Sequence, residues 1–288
     1  MSAPEQPAPS AAAWARPTRN IAAVELQRLR HKLKLLRRYW LALHRPHTPL
    51  FVLATYRSGS NLLLDYLRSL PQVQCYSEVL SPRLPIGLRR IDQNPKLALQ
   101  HLRYSLQSLQ APVRGCKLML DQLAACRLTA GDLIDAFPTA RYIVLYRESL
   151  AEQLLSARTA RETGQWVVHR GHDSQQIRIA IDPLELQWFC EETRRLYDSL
   201  LADGVLRSCG LLLSYEELTA DPAAVFAGKI CPLLGISPHE PRTTMLKQNP
   251  RPLPERIVNY AEIESLLDSP HCRLSYRWPP SPVKRSAA

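Results

Sequence analysis

The chain has 288 residues, 45% hydrophobic and 22% charged, which supports a packed globular core and argues against a collagen-like or wholly disordered chain. No run of 18 apolar residues and no basic flank leading into an apolar segment occurs, so neither a membrane span nor a secretory leader is expected. The net charge is +11, but residues 1–45 hold nine Lys or Arg against two Glu, a net of +7, which leaves +4 for the body and gives it no nucleic-acid-binding character.

Residues 1–20 are rich in Ala, Pro and Ser and read as a disordered tail. Over 21–45, Leu26, Leu29, Leu33, Leu36, Trp40 and Leu43 recur at spacings of three and four, with Arg28, Arg30, Lys32, Lys34, Arg37 and Arg38 between them. That pattern predicts a basic amphipathic helical arm. It suits an arm packed on the body, a seam with another subunit, or a helix on an anionic membrane surface. Pro46 and Pro49 set the arm off from an α/β domain expected over 48–275, and 276–288 reads as a flexible tail.

Residues 50–64 open with an apolar run, pass through Thr55-Tyr56-Arg57-Ser58-Gly59-Ser60-Asn61, and close with a second apolar run. Strand, tight loop and helix are predicted. The first turn of the helix offers unpaired N–H groups and partial positive charge, Gly59 permits close approach, and Arg57 adds a cation. An anion-binding loop and an ordinary capped turn both fit the residues alone.

Further on, a helix is expected over 61–70, a short strand over 72–76, and irregular chain over 82–94. A helix over 95–110, a strand over 113–120 and a short helix over 129–136 follow. Arg141 to Tyr146 is the clearest strand, β-branched and aromatic, and a helix follows over 149–162. Residues 164–180 lack a period and read as a long loop. Asp182-Pro183, with Glu185 three residues after the Asp, opens a helix to about 201. A strand over 209–213, a helix over 222–234 and one near 260–267 complete the order, with the Pro-rich stretch 232–254 as loop.

Alternating strands and helices predict a P-loop-like, mostly parallel sheet flanked by helices. Ligands in such sheets bind beyond the carboxyl ends of the strands. Thr55 to Ser60, Lys117, Arg147 and Tyr215 fall there, and the three cations among them point to a multiply charged anion. Seven scattered cysteines without a CxxC pair read as reduced thiols of a cytoplasmic protein, with no zinc site or disulfide framework.

The stretch 55–63 resembles the 5′-phosphosulfate loop of sulfotransferases that use 3′-phosphoadenosine 5′-phosphosulfate. The stretch 141–160, with Arg147 and Ser156, resembles their 3′-phosphate-binding strand and helix. Ser77-Glu78, Gly115-Cys116-Lys117, Thr163-Gly164-Gln165-Trp166, Tyr215-Glu216-Glu217-Leu218 and Ile257-Val258-Asn259-Tyr260 fall where bacterial carbohydrate sulfotransferases have similar runs. The resemblance is strongest to the trehalose 2-sulfotransferase and nodulation or lipopolysaccharide sulfotransferase type, and spans about residues 50–270. It implies a donor held by Arg57, Ser58, Gly59, Ser60, Asn61, Arg147, Ser156 and Tyr215, without a metal. It further implies Lys117 as a second cation near the transferred group, Glu78 as general base, and a carbohydrate or glycolipid acceptor.

Two departures stand out. Arg147 and Ser156 are nine residues apart where the family more often shows eight, and one residue turns a helix by about 100°. Lys247-Gln248-Asn249 with Arg251 stands where the cytosolic eukaryotic relatives carry an Arg-Lys-Gly run. His101, His169 and His172 are rival bases, and Trp166 is a candidate wall of the acceptor site, whose pocket is expected from 82–112 and 163–181. Two other functions compete. A nucleotide kinase would need the GxxxxGK[ST] loop, which the chain lacks. A non-catalytic adaptor would work through the arm, as would a homo-oligomer or a peripheral membrane contact.

Overall fold

A computed structural model of the chain describes residues 46–81, 94–171, 174–202 and 204–278. The expected tail and arm, His172, and most of 82–94 lie outside these residues. In chain order the strands are β1 (Thr48–Ala54), β2 (Val73–Glu78), β3 (Val113–Met119), β4 (Arg141–Tyr146), β5 (Val168–His169), β6 (Gly210–Ser214) and β7 (Met245–Leu246). Five form one sheet in the order β2-β3-β1-β4-β6, and β5 and β7 form a separate antiparallel ribbon. Every pairing in the five-stranded sheet is parallel.

The core is split by this sheet. Leu50 to Ala54 of β1 are all fully buried, the continuous apolar run of a strand covered on both faces. Leu50, Val52 and Ala54 join Ile143, Leu145 and Leu213 beneath α1 (Ser60–Ser69) and the segment around Phe226. Phe51 and Leu53 point the other way, with Cys116, Leu118, Tyr142 and Val144. They meet α2 (Pro95–Gln107), α3 (Leu120–Ala125), α4 (Ala130–Ala136), α5 (Leu150–Thr163) and α6 (Pro183–Leu201). At about 1.5–3 kcal/mol for each large side chain fully buried, β1 is a principal contributor to the stability of the fold.

Local chemistry sets the helix starts. Asn94, Thr129, Ser149 and Asp182 each accept a backbone N–H at the head of their helix, and Thr129 with Asp132 forms a reciprocal capping box. Beyond β6 come the short helices α7 (Tyr215–Ala220), α8 (Pro222–Val225), α9 (Cys231–Leu234), α10 (Leu253–Arg256) and α11 (Tyr260–Leu267).

The structure corrects the sequence reading in four places. The helix expected over 222–234 is interrupted by a π-helical turn at Phe226–Ile230. Pro232 lacks the N–H of a regular turn and its ring crowds the carbonyl four residues back, so the chain widens before it. The loop expected over 164–180 contains β5, and the Pro-rich stretch 232–254 contains β7. Two-residue strands carry no readable period; only their mutual pairing defines them. The short helices α3, α7 and α10 were also not foreseen. No helix among the described residues is long and apolar enough to cross a membrane. All seven cysteines are thiols.

Candidate active site

A cleft of about 410 Å³ opens at the carboxyl end of β1. β1 lies between β3 and β4, where successive connections leave to opposite sides of the sheet and a crevice is forced open. β1 supplies the loop, β3 supplies Lys117, and Arg147 follows β4 directly.

The loop is rigidly braced. Gln153, fully buried on α5, donates to the Thr55 hydroxyl (2.9 Å) and to the Tyr56 carbonyl. The Tyr197 hydroxyl of α6 accepts from the Thr55 amide (3.2 Å) and donates to the Leu145 carbonyl (2.6 Å). Arg57 adopts the left-handed region at φ 61°, a conformation that a non-glycine residue holds only where its surroundings impose it. Its guanidinium donates to the Ser156 hydroxyl (3.0 Å), the Trp166 carbonyl (2.6 Å) and the Gln248 side-chain oxygen (2.9 Å). Those last two residues flank β5 and β7, so Arg57 ties the ribbon to the loop.

Gly59 caps α1 at φ 91° and offers no side chain of its own. A Cβ there would lie 2.3 Å from the Tyr215 ring. Glycine is thus required twice, by the backbone and by the ring. The amides of Ser60, Asn61 and Leu62 occupy the first turn, where α1 provides no carbonyl to receive them, and their residues line the cleft. Ser58 differs: it is fully buried, and its hydroxyl turns inward to the Thr55 carbonyl (2.9 Å).

Glu78 and Lys117 meet through an irregularity in the sheet. Tyr76 pairs with Cys116, but Glu78 pairs with Lys117, so Ser77 is an extra residue on β2. Such a bulge re-aims the side chain that follows it. The Lys117 ammonium lies 3.1 Å from the Glu78 carboxylate and donates to Asn61 Oδ1 at 2.6 Å. Both members of the pair are buried, and each offsets the cost of removing the other's charge from water. Gln122 of α3 donates to the other Glu78 oxygen (3.1 Å) and to the Tyr56 hydroxyl (3.5 Å). Burial pushes the Asp121 carboxyl up to about 6, against a lowering hydrogen bond with Tyr56. The Tyr56 hydroxyl is raised by burial and by the neighbouring Asp121 and Glu78.

At the far end Arg147 is buried, with its guanidinium 4.7 Å above the Tyr215 ring, a cation–π contact. It donates to Glu152 at 3.2 Å, and Arg256 pairs with the other oxygen of the same carboxylate. Glu152 and Arg256 line the cleft.

Of the residues expected from sequence, Arg57, Gly59, Ser60, Asn61, Glu78, Lys117, Arg147, Ser156 and Tyr215 all line this cleft, as does Trp166. The Ser58 side chain is turned away from it. Ser156 is engaged by Arg57. His169 stands on the ribbon, its Nδ1 2.8 Å from the Thr244 hydroxyl, and His101 lies on α2; neither lines the cleft. Tyr56, Glu152 and Arg256 were not assigned roles in advance, and Gln248 was noted only within the run Lys247-Gln248-Asn249. Glu152 follows Arg147 closely enough to have been suspected, whereas nothing local marks Arg256. Among the described residues no group of three or more His, Cys, Asp or Glu is placed to hold a metal.

A parallel sheet with a strand–loop–helix at its switch point, several cations and a buried carboxylate in one cleft is the frame of an α/β enzyme that handles an anionic substrate. The model of the sulfotransferase family matches residues 49–241, and the chain belongs to that family: it is a sulfotransferase. Nodulation protein H of Rhizobium tropici is 26% identical, over 75% of this chain and 87% of that protein. A crystal structure of a sulfotransferase from Alicyclobacillus acidocaldarius superposes with a TM-score of 0.42 at 16% identity, over 72% of this chain and 87% of that one.

Proposed function

We propose that residues 48–275 transfer a sulfuryl group from 3′-phosphoadenosine 5′-phosphosulfate to a hydroxyl of a carbohydrate or glycolipid, with Glu78 as general base. The acceptor oxygen forms the new S–O bond while the S–O bond to the 5′-phosphate breaks. The electron pair leaves on the phosphate oxygen, and the hydroxyl proton passes to Glu78. Negative charge grows on the leaving phosphate, so fixed donors there lower the barrier. Arg57, Lys117 and the first-turn amides of α1 serve that purpose. Tyr215, pressed on Gly59 and under Arg147, suits an adenine ring. The family generally draws on this donor.

The observation that carries the reading is the Glu78–Lys117 contact of 3.1 Å beside Asn61 of the loop. In this reading Glu78 is the proton acceptor and Lys117 the leaving-group cation, and the contact supports it by setting the two side by side in one cleft. The acceptor class is supported by the apolar wall of Trp166, Val167, Met245 and Leu246 along the same cleft, which suits sugar faces, and by the likeness to a nodulation protein.

The test is transfer of labelled sulfate to candidate glycans by Glu78→Gln. Turnover is expected to fall about 10²- to 10⁴-fold, the usual contribution of a general base, while adenosine 3′,5′-bisphosphate still binds. Near-wild-type turnover sinks the assignment.

A further inference from the structure

Glu152 is a carboxylate inside an anion-binding cleft, where a negative charge opposes the ligand. Its position is nevertheless well defined. It sits in the first turn of α5, its amide donates to the Ser149 hydroxyl at 3.2 Å, and its two oxygens are divided between Arg147 and Arg256. The two arginines are 6% and 4% exposed, and the Nε of each is buried without a hydrogen-bond partner. A second carboxylate, Glu216, approaches Arg147 Nε only to 3.9 Å and is more exposed. Two buried guanidiniums are therefore met by one half-buried carboxylate, with Glu216 as a looser second. The Nε–H groups of both stay unmet, which costs free energy in a buried site.

Such a pair is matched to an anion with more charge and more oxygens than a carboxylate. A phosphate monoester carries about −1.5 to −2 charge and three acceptor oxygens. Building on the donor reading above, that group is the 3′-phosphate, and Arg256 is the second guanidinium that holds it. Glu152 already occupies the same N–H groups. We infer that Glu152 is a built-in competitor for the Arg147–Arg256 pair, which loosens the grip on the 3′-phosphate of the donor and equally on that of the spent nucleotide. Product release is thereby kept from becoming the slow step.

The experiment is calorimetric titration of the full chain, wild type and Glu152→Gln, with adenosine 3′,5′-bisphosphate and with adenosine 5′-monophosphate. The bisphosphate is expected to bind roughly tenfold tighter to Glu152→Gln, because one like charge beside the phosphate is removed. The monophosphate, which lacks the 3′ group, is expected to stay within about twofold. Adding Arg256→Gln should erase the gain. If Glu152→Gln weakens the bisphosphate, or shifts both nucleotides alike, the carboxylate merely holds the arginines in place and the inference falls. Glu152→Ala is read the same way should the first variant not fold, and failure of both to fold also discards the competitor role. A wild type that binds neither nucleotide sinks the donor reading and this inference with it. Tight binding of the bisphosphate without a Glu152 effect sinks the inference alone.

Discussion

The two ends of the cleft are built on different plans. At the β1 end, Thr55 to Asn61 is one unbroken loop between a strand and a helix, and Arg57 donates to a hydroxyl, a carbonyl and an amide oxygen. At the far end, Arg147 with Glu152, Tyr215 and Arg256 come from three separate parts of the chain, and the cations rest on a carboxylate. The contrast has a consequence for binding. Neutral acceptors surrender a guanidinium to an incoming anion without leaving a bare charge behind, whereas a carboxylate must be displaced. On the donor reading proposed above, an anion would meet a standing carboxylate competitor at the far end.

Gly59→Ala should break the distinction outright, because Gly59 touches both ends. Its left-handed backbone forms the loop, and the added Cβ would strike the Tyr215 ring at 2.3 Å. A loss of about 2–4 kcal/mol is expected from backbone strain and overpacking together. Denaturant melts should show it, along with loss of nucleotide binding. A variant with normal stability and affinity would mean that the ring and the loop move independently.

Asp121→Asn sharpens the comparison, since it touches only the support beneath the β1 end. The Asp121 carboxyl titrates near 6 in the fold against 3.8 ordinarily. Folding thus favours its protonated form: the contribution to stability is full below about pH 4 and is lost as pH rises through 6. Asparagine mimics the protonated acid. The variant should be more stable than wild type at pH 7.5 by about 2 kcal/mol, with roughly two units at 1.36 kcal/mol each as the ceiling. The two proteins should converge below pH 4. Parallel stability curves across that range would show that Asp121 is not strained.

The smallest effect is expected from Gln248→Ala. It removes one acceptor from Arg57 and the 2.6 Å bond to the Gln165 carbonyl, which costs about 1 kcal/mol. Thermal melts should register a shift of a few degrees. Nucleotide affinity should hold or improve, because the guanidinium is freer to meet an anion. A large loss of affinity would instead make the tie to the ribbon a condition for binding.

How much of this was legible beforehand follows the same division. The five sheet strands and the longer helices carry runs or periods of several residues, and Arg141–Tyr146 and Tyr260–Leu267 fall where the sequence puts them. The strand–loop–helix over residues 48–69 is readable because its parts are neighbours in sequence. The β5–β7 ribbon was not readable, since each strand has two residues and exists only through its partner. Nor was the inward turn of Ser58, which depends on the carbonyl of Thr55 lying beneath it.

What the sequence determined by itself was the class of sheet, the place of the crevice and the loop at its head, because apolar periodicity and a glycine-bearing turn act over a few bonds. What tertiary structure alone decided was which charges face one another. The pairing of Glu78 with Lys117 hangs on a one-residue bulge between two strands, and that of Glu152 with Arg256 on a contact across 104 residues. Electrostatic partners are set by distance in space, and only the packed core fixes those distances.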